Sequence, residues 1–246
     1  MKEIICIILI IGLFSCKERK SQIENIETEN LTQKKIDSIL NKFEFKYENP
    51  IVLDSTNQIL FPISTKLLKR KETYSKDGYY EYDLPRYWNI LFFNRNTGKT
   101  KLLTNKRFRI SEINTKKDKN NTYYQQKLLE DKIIYKINDI DYNKDNKLNS
   151  KDPEFLFISE IDGSNLQRIS PLNEDLIYYE VIEETDELLF QTRRDTNKDF
   201  IFSESDESIW YKSKMIANEW VKTEIIDSIN KAKIEKLYFN QWLRKE

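Results

Sequence analysis

The sequence predicts an all-β, repeat-containing fold, and three observations support this prediction. Beyond Pro50, short runs rich in Ile, Leu, Phe, Tyr and Thr alternate with polar turns at intervals of roughly ten residues, the pattern typical of consecutive antiparallel strands. One arrangement of strands and turns recurs along the chain. The chain contains 39% hydrophobic and 13% aromatic residues, too many for a disordered chain even with 33% charged residues.

The composition excludes several classes of enzyme and ligand. The 246 residues include no histidine, which excludes Ser-His-Asp and Cys-His catalytic units and the His-Glu-x-x-His zinc site. The four glycines lie too far apart to form a glycine-rich loop around a nucleotide phosphate. Because 41 Lys and Arg residues balance 41 Asp and Glu residues, no excess of positive charge favours nucleic acid. We therefore expect no nucleotide and no nucleic-acid partner.

The first 16 residues predict a signal peptide followed by a lipid-bearing cysteine. The apolar run at 4–14 would rise about 16 Å as a helix, well short of the roughly 30 Å hydrocarbon core of a bilayer. The tetrapeptide Leu13-Phe14-Ser15-Cys16 resembles the lipobox of bacterial lipoproteins. The resemblance implies that residues 1–15 are removed and that acylated Cys16 anchors the chain in the lipid bilayer of the cell outer membrane, in either leaflet. The alternative is a buried N-terminal helix with an incidental cysteine.

Residues 16–47 are predicted to form a polar tether. Charged and amide side chains dominate this stretch, which contains no glycine and no proline. Four apolar residues recur in it at helical spacing, which predicts a short helix that docks on the body. They are Ile36, Ile39, Leu40 and Phe43. A stalk with only transient helix is the alternative, and the repeat domain is predicted over 48–246.

Three units can be aligned along the body, each made of a strand, an excursion, a second strand, a turn and a closing strand. The opening strands are predicted at 58–61, 132–135 and 187–190, the second strands at 89–93, 154–158 and 208–211, and the closing strands at 101–104, 167–170 and 223–226. The turn before each closing strand contains Gly98, Gly163 or Asn218, residue types that tolerate a positive φ.

These units resemble the blades of the TolB-type and WD-repeat-like β-propellers of bacterial envelope lipoproteins. The resemblance implies a β-propeller-like domain, few-bladed or incomplete, since closed propellers have four to eight blades. An open stack or sandwich of sheets is the competing architecture. Near the C terminus, apolar residues at close to helical spacing predict a final short helix, although 237–239 could instead form a closing strand.

Two acidic loops, 141–152 and 195–206, share the pattern D-x-N-x-D-x-x-[LF]-x-x-x-D. In an EF-hand-type loop, side-chain oxygens at positions 1, 3 and 5, the backbone carbonyl at position 7 and an acid at position 12 gather around Ca²⁺. The predicted ligands in the first loop are Asp141, Asn143, Asp145, Lys147 and Asp152. Those in the second loop are Asp195, Asn197, Asp199, Ile201 and Asp206.

Each loop departs from the EF-hand pattern at two positions. Position 6, normally glycine, is Asn146 or Phe200, and position 12 is aspartate instead of the longer glutamate. Aspartate at position 12 resembles the dockerin-like version of the loop. Because phenylalanine adopts the left-handed conformation poorly, the first loop is the better candidate. A chance match in an Asn- and Asp-rich chain is the alternative, but two copies at equivalent places in the repeats favour calcium.

An aromatic segment at 79–88 is a second candidate binding site. Tyr80, Tyr82 and Trp88 would stack on a sugar or peptide, with neighbouring acids and an arginine supplying hydrogen bonds. The structural alternative is an edge strand and loop of the first unit, because Tyr and Trp are ordinary strand residues.

Taken together, these patterns predict a lipid-anchored, calcium-binding β-repeat protein of the bacterial cell envelope. It would act as a binding or scaffold module whose partner is an envelope protein or glycan. The alternative is an envelope hydrolase that acts on carbohydrate or peptide through carboxylates. No catalytic pair can be selected, because 41 acidic residues make chance pairs inevitable.

Overall fold

The computed structural model describes residues 34, 37–38, 41–53, 56–68, 84–115, 127–182, 185 and 187–243. The chain divides into two units, 1–39 and 40–246, and every strand given below belongs to the second. Several predictions fall outside the described residues. These are the signal peptide at 1–15, lipidated Cys16, helix positions Ile36, Ile39 and Leu40, and the aromatic residues Tyr80 and Tyr82. Within the described ranges, no helix is both long and apolar enough to cross a membrane.

The fold is all-β, as predicted, and consists of three antiparallel sheets, none of them closed in the described part of the chain. The first sheet contains β1 (Phe43–Tyr47), β2 (Ile51–Val52), β3 (Gln58–Leu67), β4 (Asn89–Asn94) and β5 (Thr100–Leu102). The second contains β6 (Arg109–Asn114), β7 (Lys132–Asn138), β8 (Phe155–Glu160) and β9 (Gln167–Arg168). The third contains β10 (Glu174–Ile182), β11 (Glu187–Arg194), β12 (Glu207–Ile216) and β13 (Glu219–Glu224).

Each predicted unit corresponds to one sheet. The strand orders are β1-β3-β4-β5, β6-β7-β8-β9 and β10-β11-β12-β13, and β2 pairs with β3. The last three strands of each sheet correspond to the three predicted from the sequence, except that the closing strand of the third unit, predicted at 223–226, lies earlier, at Glu219–Glu224. Gly98, Gly163 and Asn218 take φ values of 66°, 76° and 67° in the turns. The first strand of every sheet and the short strand β2 were not predicted.

Strand β1 corrects part of the tether prediction. Phe43, which was assigned to a helix, lies in this strand, and the segment assigned to the tether ends in it. Phe43, Phe45 and Tyr47 alternate with Glu44 and Lys46, which is the two-residue period of a strand. This alternation matches the pairing of β1 with β3, in which successive side chains point to opposite faces.

The second sheet packs against both of its neighbours. One of its faces packs on the first sheet in a buried apolar cluster. The opposite face packs on the third sheet in a second cluster. The first face carries Ile133, Tyr135, Ile137, Phe155 and Phe157. The opposite face carries Ile134, Leu156 and Ile158. Burial on both faces explains why β7 and β8 are nearly continuous apolar runs.

A C-terminal helix forms as predicted, so 237–239 is not a closing strand. Helix α1 (Ser228–Leu237) is capped by Asp227, whose side chain accepts a hydrogen bond from the Asn230 N–H. The helix continues into a π-helical turn, Tyr238–Trp242. None of its described residues is buried. The Lys231 ammonium pairs with Glu207 of β12.

Candidate functional site

The two acidic loops occupy equivalent positions in neighbouring sheets. The first connects β7 to β8 and the second connects β11 to β12. In each sheet, these are the second and third strands. The loops therefore belong to the repeat of the fold as well as to the repeat of the sequence. Positions 1 to 12 are counted from Asp141 and from Asp195.

Both loops have the same unusual backbone at positions 4 and 6. The φ angles are 59° at Lys144 and 62° at Asn146 in the first loop, and 62° at Lys198 and 64° at Phe200 in the second. A positive φ at position 6 is the conformation for which EF-hand loops use glycine. Phe200 takes this conformation although phenylalanine adopts it poorly, so the two loops make the same turn.

In the first loop, the side chains at positions 1, 3 and 5 fold back onto the backbone. Asp141 accepts hydrogen bonds from the N–H groups of Asp145 at 3.1 Å and Asn146 at 2.8 Å. Asn143 Oδ1 accepts from the Asp145 N–H at 3.0 Å, and Asp145 Oδ1 accepts from the Lys147 N–H at 2.8 Å. The chain therefore coils tightly around these three oxygen-bearing side chains.

The second loop repeats three of these four hydrogen bonds, whereas Asp195 Oδ1 accepts from the Lys198 N–H at 2.7 Å in place of the position 5 N–H. Asp195 Oδ2 accepts from the N–H of Phe200 at 3.1 Å. Asn197 Oδ1 accepts from the Asp199 N–H at 3.0 Å, and Asp199 Oδ1 accepts from the Ile201 N–H at 2.8 Å. Two segments that differ at position 2 and at positions 6 to 11 thus make the same turn, which the shared Asp and Asn residues account for.

The acid at position 12 closes each loop. Asp152 is buried, and its two oxygens accept from the N–H groups of Tyr142 and Asn149, both at 2.9 Å. Asp206 is also buried and accepts from Ser203 and Thr196. These hydrogen bonds hold the pKa of Asp206 below its ordinary value. Aspartate is therefore long enough at position 12 to join the two ends of the loop.

The donor set of each loop fits a hard cation. Carboxylate, amide and carbonyl oxygens are the ligands that Ca²⁺ prefers, and neither loop places a nitrogen or sulfur ligand at the five predicted positions. A carboxylate oxygen that accepts one N–H has a second lone pair for a metal. In the described part of the chain, no three acidic or cysteine side chains yet converge as a metal cluster. Calcium binding would therefore require the side-chain oxygens at positions 1, 3 and 5 to move closer to one common point.

A tyrosine joins the two loops. Tyr142, at position 2 of the first loop, donates its hydroxyl to Asp195 Oδ2 at 3.2 Å. Its ring lies 5.6 Å from that of Phe200 and 5.1 Å from that of Phe202, centroid to centroid. Burial and the negative charge of Asp195 raise the pKa of Tyr142. Phe200 thus replaces glycine at position 6 where its ring packs on the neighbouring loop, a contact that sequence analysis missed.

A cleft of about 860 Å³ lies between the loops. Both loops line it, together with residues from the ends of the adjoining strands, including Asn138, Glu154 and Asp175. Burial and the nearby charge of Glu154 raise the pKa of Asp175 to about 6, although a backbone hydrogen bond and Arg193 oppose this shift. Sequence analysis did not find these three residues, because no local pattern marks them.

Replacing Asp175 with asparagine is expected to raise the free energy of unfolding at neutral pH. The pKa of this carboxyl is about 6 in the folded protein and about 4 in an unfolded chain. The folded state therefore binds the proton more tightly, and the charged carboxylate opposes folding at pH values above 6. This cost, about 2 to 3 kcal/mol in the free energy of unfolding, disappears as the pH falls through 6 towards 4.

Urea denaturation at several pH values checks this prediction. As the pH falls from about 8 to about 4, the free energy of unfolding of the wild type should rise relative to that of Asp175→Asn. Asp131→Asn, at an exposed carboxylate, is the matched control and should leave the pH profile of the wild type unchanged. Parallel profiles for the wild type and Asp175→Asn would contradict the assignment.

The described part of the aromatic segment has contacts that join sheets. The backbone N–H of Trp88 donates to the Ile63 carbonyl at 2.8 Å, and the Trp88 side chain is half-buried. Tyr87 exchanges two backbone hydrogen bonds with Ile110, at 3.0 and 2.8 Å, which connects the first and second sheets. These contacts accord with the structural alternative for this segment, a loop and strand edge of the first unit.

Comparison with known proteins does not assign the chain. No family model matches it, and no curated protein matches it significantly. The features that point to a function are therefore the two loops, the contact between them and the cleft that they line.

Proposed function

We propose that this protein is a lipid-anchored, calcium-binding β-repeat protein of the bacterial cell envelope that acts as a binding or scaffold module. The observation that carries the proposal is the shared conformation of the two loops. Both have positive φ angles at positions 4 and 6, and both hold the side chains at positions 1, 3 and 5 in three equivalent hydrogen bonds to backbone N–H groups. The anchor through Cys16 rests on the sequence alone.

We further propose that the three sheets form a few-bladed or incomplete propeller-like domain. Strands within each sheet follow one another in sequence order apart from the extra strand β2, and four strands is the size of a propeller blade. Consecutive sheets share apolar clusters through opposite faces of the second sheet, which supports face-to-face packing of neighbouring blades.

Calcium would act in these loops mainly as a structural ion. The side chains that would hold it are those at positions 1, 3, 5 and 12, with the backbone carbonyls of Lys147 and Ile201 at position 7. When bound, the ion supplies positive charge that offsets the repulsion among the three aspartates of each loop. With an affinity of about 0.1 mM and free calcium of about 1 mM, binding adds about 1.4 kcal/mol per site to the stability of the fold.

Chelation with EGTA is expected to lower the melting temperature of the full chain purified in detergent. About 1.4 kcal/mol per site corresponds to a shift of roughly 3 to 5 °C for each occupied loop. Asp145→Ala and Asp199→Ala should each remove about half of the shift, because each variant removes the position 5 ligand of one loop. Calorimetric titration of the calcium-free protein should give two ions per chain if both loops bind.

A control variant separates calcium loss from general loop damage. Lys147→Ala keeps the backbone carbonyl that would bind calcium and removes only an exposed side chain, so its response to EGTA should equal that of the wild type. Melting curves that do not respond to EGTA, together with the absence of bound metal in equilibrium dialysis, would overturn the calcium proposal.

A further inference from the structure

We propose that the cleft between the two loops binds a positively charged side chain of a protein partner, an ammonium or guanidinium group on an apolar stem. The inference rests on the proposed binding role and deepens it by naming the chemistry of the partner. One juxtaposition carries it. A buried amide oxygen that lacks a donor lines the same cleft as two neighbouring acidic residues and several apolar side chains.

The amide oxygen belongs to Asn138, the last residue of β7. Asn138 is 1% exposed, and its Nδ2 donates to the carbonyl of Asp152 at 2.8 Å. Its Oδ1 is buried and has no hydrogen-bond donor among the described residues. Because buried acceptors are almost always paired in folded proteins, this oxygen points to a donor supplied from outside the chain.

The two carboxylates belong to Glu154 and Asp175. The Glu154 N–H donates to Asp175 Oδ1 at 2.8 Å, which holds the two residues together. Burial and, to a smaller extent, the nearby charge of Glu154 raise the pKa of Asp175, and the opposing charge of Arg193, its cross-strand partner, does not outweigh them. A ligand cation would relieve this repulsion, whereas an anion would add to it.

The whole lining has the same electrostatic character. It contains five carboxylates and two cationic side chains, Arg109 and Lys151. Three of the carboxylates, Asp145, Asp152 and Asp199, are predicted calcium ligands. With calcium in the loops, the two remaining carboxylates, Glu154 and Asp175, equal the two cations in number, so the cleft favours a positively charged group most strongly in the calcium-free protein.

The apolar part of the lining suits the stem of a lysine or arginine side chain. Phe200 and Ile201 of the second loop line the cleft and are 42% and 63% exposed. Long basic side chains place their methylene groups on such surfaces while the charged end is held elsewhere. The ammonium of Lys144 already lies 5.9 Å from the centre of the Phe200 ring, which indicates that this ring accepts a cation.

Calorimetric titration with two matched peptides tests the inference. The probe is an acetylated and amidated Gly-Gly-Arg-Gly-Gly peptide, and its neutral partner carries citrulline in place of arginine. We expect the full chain in detergent and EGTA to bind the arginine peptide at one site, and to bind the citrulline peptide at least about tenfold more weakly. Raising the salt concentration should weaken the arginine peptide further.

Variants of the cleft locate the site. Asp175→Asn and Glu154→Gln should each weaken the arginine peptide by about tenfold, because each removes one negative charge and keeps the side-chain shape. Glu219→Gln, which removes an exposed carboxylate on β13, should leave binding unchanged. Asp175→Asn is expected to be at least as stable as the wild type at neutral pH, so weaker binding would not report unfolding.

Three outcomes would overturn the inference. They are no binding of the arginine peptide, equal binding of the two peptides, or equal binding by wild type, Asp175→Asn and Glu154→Gln. Binding of chitotriose without binding of the arginine peptide would assign the cleft to a neutral glycan instead. An EGTA shift in melting temperature without peptide binding would reject this inference alone, whereas peptide binding without any EGTA shift would reject only the calcium proposal.

Discussion

Gly163→Ala is expected to destabilise the protein by about 3 kcal/mol. Gly163 lies in the turn between β8 and β9 with a φ of 76°. A Cβ at this position would meet three atoms of the Phe92 ring at 2.5 to 2.9 Å. Phe92 lies in β4 of the first sheet and is 2% exposed, so its ring has little room to move. The substitution therefore adds an overpacked contact between two sheets to the strain of a positive φ.

Gly98→Ala is the matched control for this prediction. Gly98 occupies the equivalent turn of the first sheet with a φ of 66°, and a Cβ there would meet nothing within 4 Å. Its replacement should cost only the left-handed strain, about 1 kcal/mol. Urea denaturation of both variants measures the difference, and equal losses would show that the Phe92 contact contributes nothing.

Glu174→Ala is expected to cost about 3 kcal/mol through loss of a buried carboxylate. Glu174 is 3% exposed and accepts hydrogen bonds from Thr192 Oγ1 at 2.5 Å, Arg194 Nε at 2.9 Å and the Tyr211 hydroxyl at 3.1 Å. Burial and the charge of Glu174 raise the pKa of Tyr211, so the hydroxyl remains a donor at neutral pH. Removal of the carboxylate would leave the donors of Thr192, Arg194 and Tyr211, on two adjacent strands, without this acceptor.

Glu224→Ala provides the comparison at an exposed site. Glu224 Oε1 lies 3.4 Å from Arg194 Nη2, but its side chain is 46% exposed. An ion pair in contact with water contributes at most about 1 kcal/mol, so this variant should melt close to the wild type. A loss for Glu174→Ala no larger than that for Glu224→Ala would contradict the role assigned to the buried carboxylate.

Local patterns account for the parts of the fold that the sequence predicts well. The apolar runs of β7 and β8 and the turn residues Gly98, Gly163 and Asn218 identify strands and turns without reference to distant residues. Strand β1 was missed because its five residues include two charged ones and follow a long polar stretch. Its hydrophobic alternation became meaningful only with its pairing to β3 known.

The candidate site divides in the same way. The spacing of Asp and Asn residues predicts each loop, because their hydrogen bonds stay within the loop. The contact between Tyr142 and Asp195 spans 53 residues, and no local pattern predicts it. The same holds for Asp175, whose raised pKa arises from burial and from the charge of Glu154, 21 residues away in the sequence. Long-range proximity of this kind appears only in the folded chain.

Burial of the second sheet on both faces bears on how the molecule loses its structure. Neither outer sheet can detach without exposing a face of large apolar side chains to water, for example Ile133 and Phe155 on one side or Ile134 and Leu156 on the other. Intermediates with one sheet detached would therefore be costly and prone to self-association. We consequently expect the three sheets to unfold in one cooperative transition, because the second sheet shares its buried faces with both of the others.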